Sequence, residues 1–274
     1  MAAIPWARVT PIVSKLPGRI REHNLTLVAA GVAFYAFLAF VPTLVAFVSI
    51  YGLVADPNDV RQQVEDVASA LPAEVQSFLV FQLTSIVNAD TAGVSITLVI
   101  AIVLALWSAS GGMAALITGV RIARAEDGPK GFAAKRGRAL LLTLGTIVFL
   151  GIVMFFIAAV PPLLSDAGRA GRVASSILRW PVLAVVMIVG IGLLYRFAVN
   201  ERPRGWLGFI TGGSVVATVG WLIASGLFAA YTANFASYSE TYGSLASIVV
   251  VLLWLWLSSL LILIGAEVDG SGEG

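Results

Sequence analysis

"SLASIVVVLLWLWLSSLLILIGAEV", Ser244 to Val268, carries no charge from Ser244 to Ala266 and then meets a single carboxylate, Glu267. A bilayer's hydrocarbon core takes roughly 20 helical residues to cross. The run is long enough, and it lacks the alternation of a barrel strand. It predicts a membrane-spanning helix. Five further stretches qualify outward from it, giving spans over approximately 25–55, 92–120, 139–164, 181–199, 206–235 and 244–266. The fourth is the shortest and needs Phe197 to Val199, beyond Arg196, to reach full length, with Arg196 extending its head to the interface. The composition agrees: 274 residues, 59% hydrophobic and 12% charged, where soluble domains carry about 25% charged residues. The expectation is an all-α polytopic membrane protein, one membrane domain over residues 1–274.

Lysine and arginine give the orientation. The segment before the first span, the second connection (Arg121 to Arg138) and the fourth (Arg196, Arg202, Arg204) hold 13 of the 17 basic residues. The other side holds Arg61 and, against the rule, Arg169, Arg172 and Arg179. Both termini are therefore expected in the cytoplasm, with residues 165–180 outside. The long connection, 56–91, is acidic and shows two apolar stripes at helical spacing, one after Pro57 and one after Pro72. They predict an extracytoplasmic amphipathic helical hairpin between the first and second spans. No removable signal peptide is read, because the first apolar run is too long for one.

The residue types exclude much chemistry. There is no cysteine and one histidine, His23, outside every span. That leaves no Cys/His zinc set and no intramembrane Ser-His pair. The spans hold no aspartate dyad, and no Walker loop is present. No catalytic residue, metal or cofactor is expected, and the chain is not expected to be an enzyme. The basic run Arg121 to Arg138 has no stacking platform beyond Phe132, so nucleic acid is not an expected partner. Anionic lipid headgroups at the cytoplasmic loops are.

Within the spans, "LWSASGGMAALITG" (Leu106 to Gly119) places Gly111, Ala115 and Gly119 four apart, a small-residue face suited to close helix packing. Gly208 and Gly212 in the fifth span read the same way. Such glycines fit contacts within one chain as well as a homo-oligomer. Pro42 is expected to kink the first span. Tyr35, Pro42, Trp107, Ser108, Ser110, Gly111 and Gly112 are the candidates for a cavity or pathway between the first, second, fifth and sixth spans. Trp254 and Trp256, about two turns into the last span, are candidates to wall it with Trp107. Glu267 falls at the cytoplasmic end, where it need not be desolvated. An acid at a helix C-terminus is slightly unfavourable, so a partner is expected from Arg196, Arg202 or Arg204.

Four segments resemble the YihY/virulence factor BrkB family of bacterial membrane proteins: Ala29 to Pro57, Leu106 to Leu116, Leu193 to Gly205 and Tyr231 to Val268. They stand in family order over nearly the whole chain. The resemblance implies six helices in the bacterial cytoplasmic membrane with both termini inside. It also implies asparagines where this chain has Thr118-Gly119-Val120 and Asp269. Members have been labelled ribonuclease BN, a chemistry that needs a histidine-rich metal site, and this chain does not supply one. The function expected is a permease-like role for a small or lipidic solute. The alternative is a non-transporting scaffold for envelope integrity or serum resistance, acting through residues 57–90.

Overall fold

Apolar runs this long satisfy their backbone hydrogen bonds internally as helices, and helices are what the chain forms. The structure, a computed structural model, describes residues 9–51, 96–126, 131–165, 168–199, 209–233 and 244–271. Among these the elements are α1 (Val9–Glu22), α2 (Leu25–Tyr51), α3 (Ile96–Ala123), α4 (Phe132–Ser165), α5 (Gly168–Val199), α6 (Gly212–Ala233) and α7 (Ser244–Ser271). The expected hairpin over 57–90 lies outside the described residues, as do Gly208, Arg202 and Arg204.

Stretches 181–199, 212–232 and 248–270 are each long and apolar enough to cross a membrane. Residues 15–22 and 25–39 form a further pair, bent by 58°. The bend sits at Asn24, which takes a left-handed conformation (φ 50°), as asparagine does most readily after glycine. The helix α1 before it was not foreseen, although Ile12, Leu16 and Ile20 stand at i, i+4 spacing in the sequence. α5 is also longer than its expected span: it begins at Gly168 and continues through Pro181, so the arginines at 169, 172 and 179 belong to a helix, not a loop. α2 runs unbroken through Pro42.

α7 packs against α2, α3 and α6, and α2 lies along α3; α4 and α5 complete the bundle beside α3. Glycines set these approaches. A Cβ at Gly112 would lie 3.3 Å from the Tyr35 carbonyl oxygen, and one at Gly119 2.9 Å from Leu263 and 3.2 Å from Val28. The seam of α3 with α2 and α7 thus uses Gly112 and Gly119, two turns apart. Gly111, expected on that seam with Ala115, has only Arg136 within reach, at 3.9 Å. The α6–α7 crossing is closer still: a Cβ at Gly213 would fall on the Gly265 carbonyl oxygen. Gly212, the expected packing residue, has open space beside it. The buried core follows this seam, with Leu25, Ala29, Ile117, Val120, Tyr195, Leu263 and Ala266 joined in one cluster.

Candidate functional site

The C-terminal ends of α3, α5 and α7 and the N-terminal ends of α4 and α6 meet at one end of the bundle, where Arg121, Arg124, Arg138 and Arg196 lie. The Ala198 carbonyl at the end of α5 draws two of them: Arg121 Nε donates to it at 2.7 Å and Arg138 Nη1 at 3.5 Å. Free C-terminal carbonyls favour such cations. Arg124 is buried and its Nε stands 3.9 Å from Glu126. α3 itself ends in a Schellman motif. Ala125 N–H bonds Ile122 O at 3.1 Å and Glu126 N–H bonds Arg121 O at 3.0 Å, with Ala125 left-handed at φ 53°.

Glu267 is wholly buried. Arg19 Nε lies 3.0 Å and His23 Nδ1 2.7 Å from its carboxylate oxygens. This corrects two expectations: the acid is desolvated, and its partners come from α1 and the turn that follows it, not from Arg196. The reason is topological. α1 folds back onto α7 and α2, which brings Arg19 and His23 over the carboxylate. Arg196 is buried instead against the Phe209 ring, 5.0 Å from its centroid. Asp269, two residues on, accepts a hydrogen bond from Gly213 N–H at 2.6 Å. It caps the start of α6 from outside, beside the reciprocal Thr211–Ser214 bonds (3.0 and 3.1 Å) that form a capping box. Tyr195 Oη donates to Ile262 O at 2.5 Å. No sequence signal short of the tertiary contact could pair residues as distant as His23 and Glu267.

The pathway candidates separate. Gly112 and Ser110 are buried, the latter donating to its own helix at Trp107 O (2.7 Å). Tyr35 and Trp107 are about half exposed, and Ser108 is partly buried. Pro42 lies in α2, with its side chain outside the described residues. The tryptophans do not gather round one space. Trp256 donates to Thr26 O at 3.1 Å, and Trp254 meets Trp221 edge-on at 5.9 Å.

Trp107 has a different partner, one that was not foreseen. The Arg136 guanidinium from α4 stacks on its ring, 3.9 Å from the centroid, and Arg136 Nη2 donates to the Trp107 carbonyl oxygen. Counted along α3, Trp107 is 14 positions from Arg121, roughly 21 Å at 1.5 Å per residue. Gly111, lacking a side chain, leaves room for this guanidinium. Arg136 Nε is buried without a hydrogen-bond partner among the described residues. Arg136 also lines a cavity of about 440 Å³ between α3 and α4, whose walls include Ala114, Ile117, Thr118, Arg121, Phe132, Lys135 and Arg138.

The sequence matches the family described as Virulence factor BrkB over residues 16–273. The chain belongs to the virulence factor BrkB family. Among its BrkB-like relatives is YfkH of Bacillus subtilis (strain 168), whose name contains the words ribonuclease-like protein. It is 32% identical over 272 residues, covering 94% of this chain and 93% of YfkH. A UPF0761 membrane protein of Vibrio cholerae serotype O1 (strain M66-2) is 34% identical over 138 residues, 48% of this chain and 43% of that one. Another, from Nitrosospira multiformis, is 41% identical over 73 residues, 27% of this chain and 17% of its own length. No solved structure matches. With these relatives and its apolar helices, this BrkB-family chain is a multi-pass helical membrane protein. The word ribonuclease belongs to the name of YfkH; in this chain the single histidine, His23, is engaged with Glu267.

Proposed function

We propose that the chain has a permease-like role for a lipidic solute with an anionic head, and that the solute enters between α3 and α4. The observation that carries this reading is the Arg136 guanidinium, held against Trp107 in the uncharged stretch of α3 and connected through the cavity to Arg121, Lys135 and Arg138 at its mouth. A cation inside an apolar span is expensive and marks function by default. Here a stacked ring, a helix carbonyl and the bare Gly111 offset part of its cost. The reading also takes α2 to α7 as six spans of the cytoplasmic membrane with both termini inside, supported by the gathering of the basic ends on one face. It moves the expected path away from the α2–α3 seam, which Gly112 closes. The scaffold alternative rests on residues 57–90, outside the described residues, and nothing described favours it.

Reconstitution in liposomes with a panel of lipid-scrambling and solute-flux assays tests the role. A leucine at Gly111 fills the space beside Arg136 without touching the α2 seam. Flux of an anionic lipid through the native chain, reduced at least tenfold in Gly111→Leu at equal folded protein, is the expected result. An inactive native chain, or equal flux in the two, would overturn the reading.

A further inference from the structure

Four basic side chains, Arg121, Lys135, Arg136 and Arg138, line the α3–α4 cavity against one carboxylate, Glu126. That carboxylate faces Arg124, whose Nε is 3.9 Å away. The rest of the wall, Thr118 apart, is apolar, and part of it is open. Phe132 is 75% exposed and Ile122 39% exposed, which suits a hydrocarbon neighbour and not an aqueous ion. The described donors are unevenly used. Arg121 and Arg138 bond the Ala198 carbonyl. Arg136 Nε is buried and unpartnered among the described residues, and the Lys135 ammonium makes no ion pair among them.

From this juxtaposition we infer that the cavity is a binding site for an anionic phospholipid. Its phosphate lies among Lys135, Arg136 and Arg138, and its acyl chains lie along Phe132 and Ile122. A phosphate supplies several acceptor oxygens and would satisfy the idle Arg136 donor while relieving the crowding of Arg121 against Arg138. Basic pockets between spans at a membrane face are suited to such headgroups. The assignment names the ligand of the site proposed above for entry. It concerns binding alone, so an inactive flux assay leaves it intact, and absent binding removes it whatever the flux.

The test uses the full chain in detergent, titrated with phosphatidylglycerol, phosphatidylcholine or soluble glycerol 3-phosphate, with bound adducts counted by native mass spectrometry. Phosphatidylglycerol is expected to bind and phosphatidylcholine to bind at least tenfold more weakly. Lys135→Gln should weaken phosphatidylglycerol about fivefold, the effect of one surface cation. Phe132→Ser should weaken it too, and Arg21→Gln, an exposed position on α1, should not. Both informative positions are exposed at the cavity wall, so folding does not depend on them. Equal binding of the two lipids, or insensitivity to both Lys135→Gln and Phe132→Ser, overturns the site. Glycerol 3-phosphate competing as well as the lipid would make it a free-phosphate site and overturn the lipid assignment.

Discussion

Removing Arg19 should destabilise the protein more than neutralising Glu267, although the two form one ion pair. At 3.0 Å the attraction is about 5 kcal/mol for an effective dielectric near 20, before desolvation is subtracted. The partners differ in their access to water. Glu267 is 0% exposed, while the Arg19 and His23 side chains are 35% and 18% exposed. In Glu267→Gln the Arg19 guanidinium and the His23 ring can turn toward water, and the loss should be about 1–2 kcal/mol, reduced by their existing solvation. In Arg19→Met the carboxylate stays buried with much of its positive surroundings gone, a situation that costs about 3–5 kcal/mol. His23 at 2.7 Å keeps the expected loss near the lower limit. Arg19→Met combined with Glu267→Leu removes the stranded charge and should recover at least about 1 kcal/mol over Arg19→Met alone. Chemical unfolding in detergent micelles measures all three. An Arg19→Met loss no larger than that of Glu267→Gln, or a double variant no more stable than Arg19→Met, refutes the reasoning.

Gly265→Ala should cost more than about 3 kcal/mol or prevent folding, because its Cβ would lie 2.5 Å from both the Gly213 carbonyl and Tyr195 Oη and 2.7 Å from Ala217; the same change at Gly226, which has open space, should be neutral in the same unfolding assay. Ala125→Gly relieves a left-handed alanine at the end of α3 and should stabilise by about 1 kcal/mol, read as a raised unfolding midpoint. Asp269→Ala removes the cap on Gly213 N–H and should lose about 1–2 kcal/mol. Asp269→Asn, which supplies the residue the family resemblance implies there, should lose only a few tenths.

The helices were legible because each apolar run must satisfy its own backbone in lipid, and length alone reports that. α2 begins at Leu25, where the first expected span begins, and α7 at Ser244, within the uncharged run that starts at Thr241. Ends beyond the apolar core were less visible. α5 starts at Gly168 and α4 at Phe132, because a helix can continue into water with arginines along it. The partners of Glu267 were not legible. Charge counting located the acid at the basic end, but it could not say that α1 folds back over it. The sequence makes Trp107 a candidate wall of a cavity; its role as a platform for Arg136 depends on a reach from α4 to α3 that no spacing encodes.

Gly111 and Gly112 show why a small-residue motif leaves the decisive question open. Successive helix positions point about 100° apart, so neighbouring glycines serve different neighbours. Gly112 lets α2 approach until its backbone lies 3.3 Å from where a Cβ would be. Any larger residue there must part the helices. Gly111 faces α4 and meets, among the described residues, the Arg136 guanidinium at 3.9 Å. One glycine closes a seam and the next leaves one open, and the open one carries the charge. A solute that needs a cation therefore has a reason to enter along α3 and α4, and none to enter between α2 and α3. The two substitutions separate these roles. A bulky residue at Gly112 should act through stability, whereas one at Gly111 should act through access to Arg136 with the fold retained.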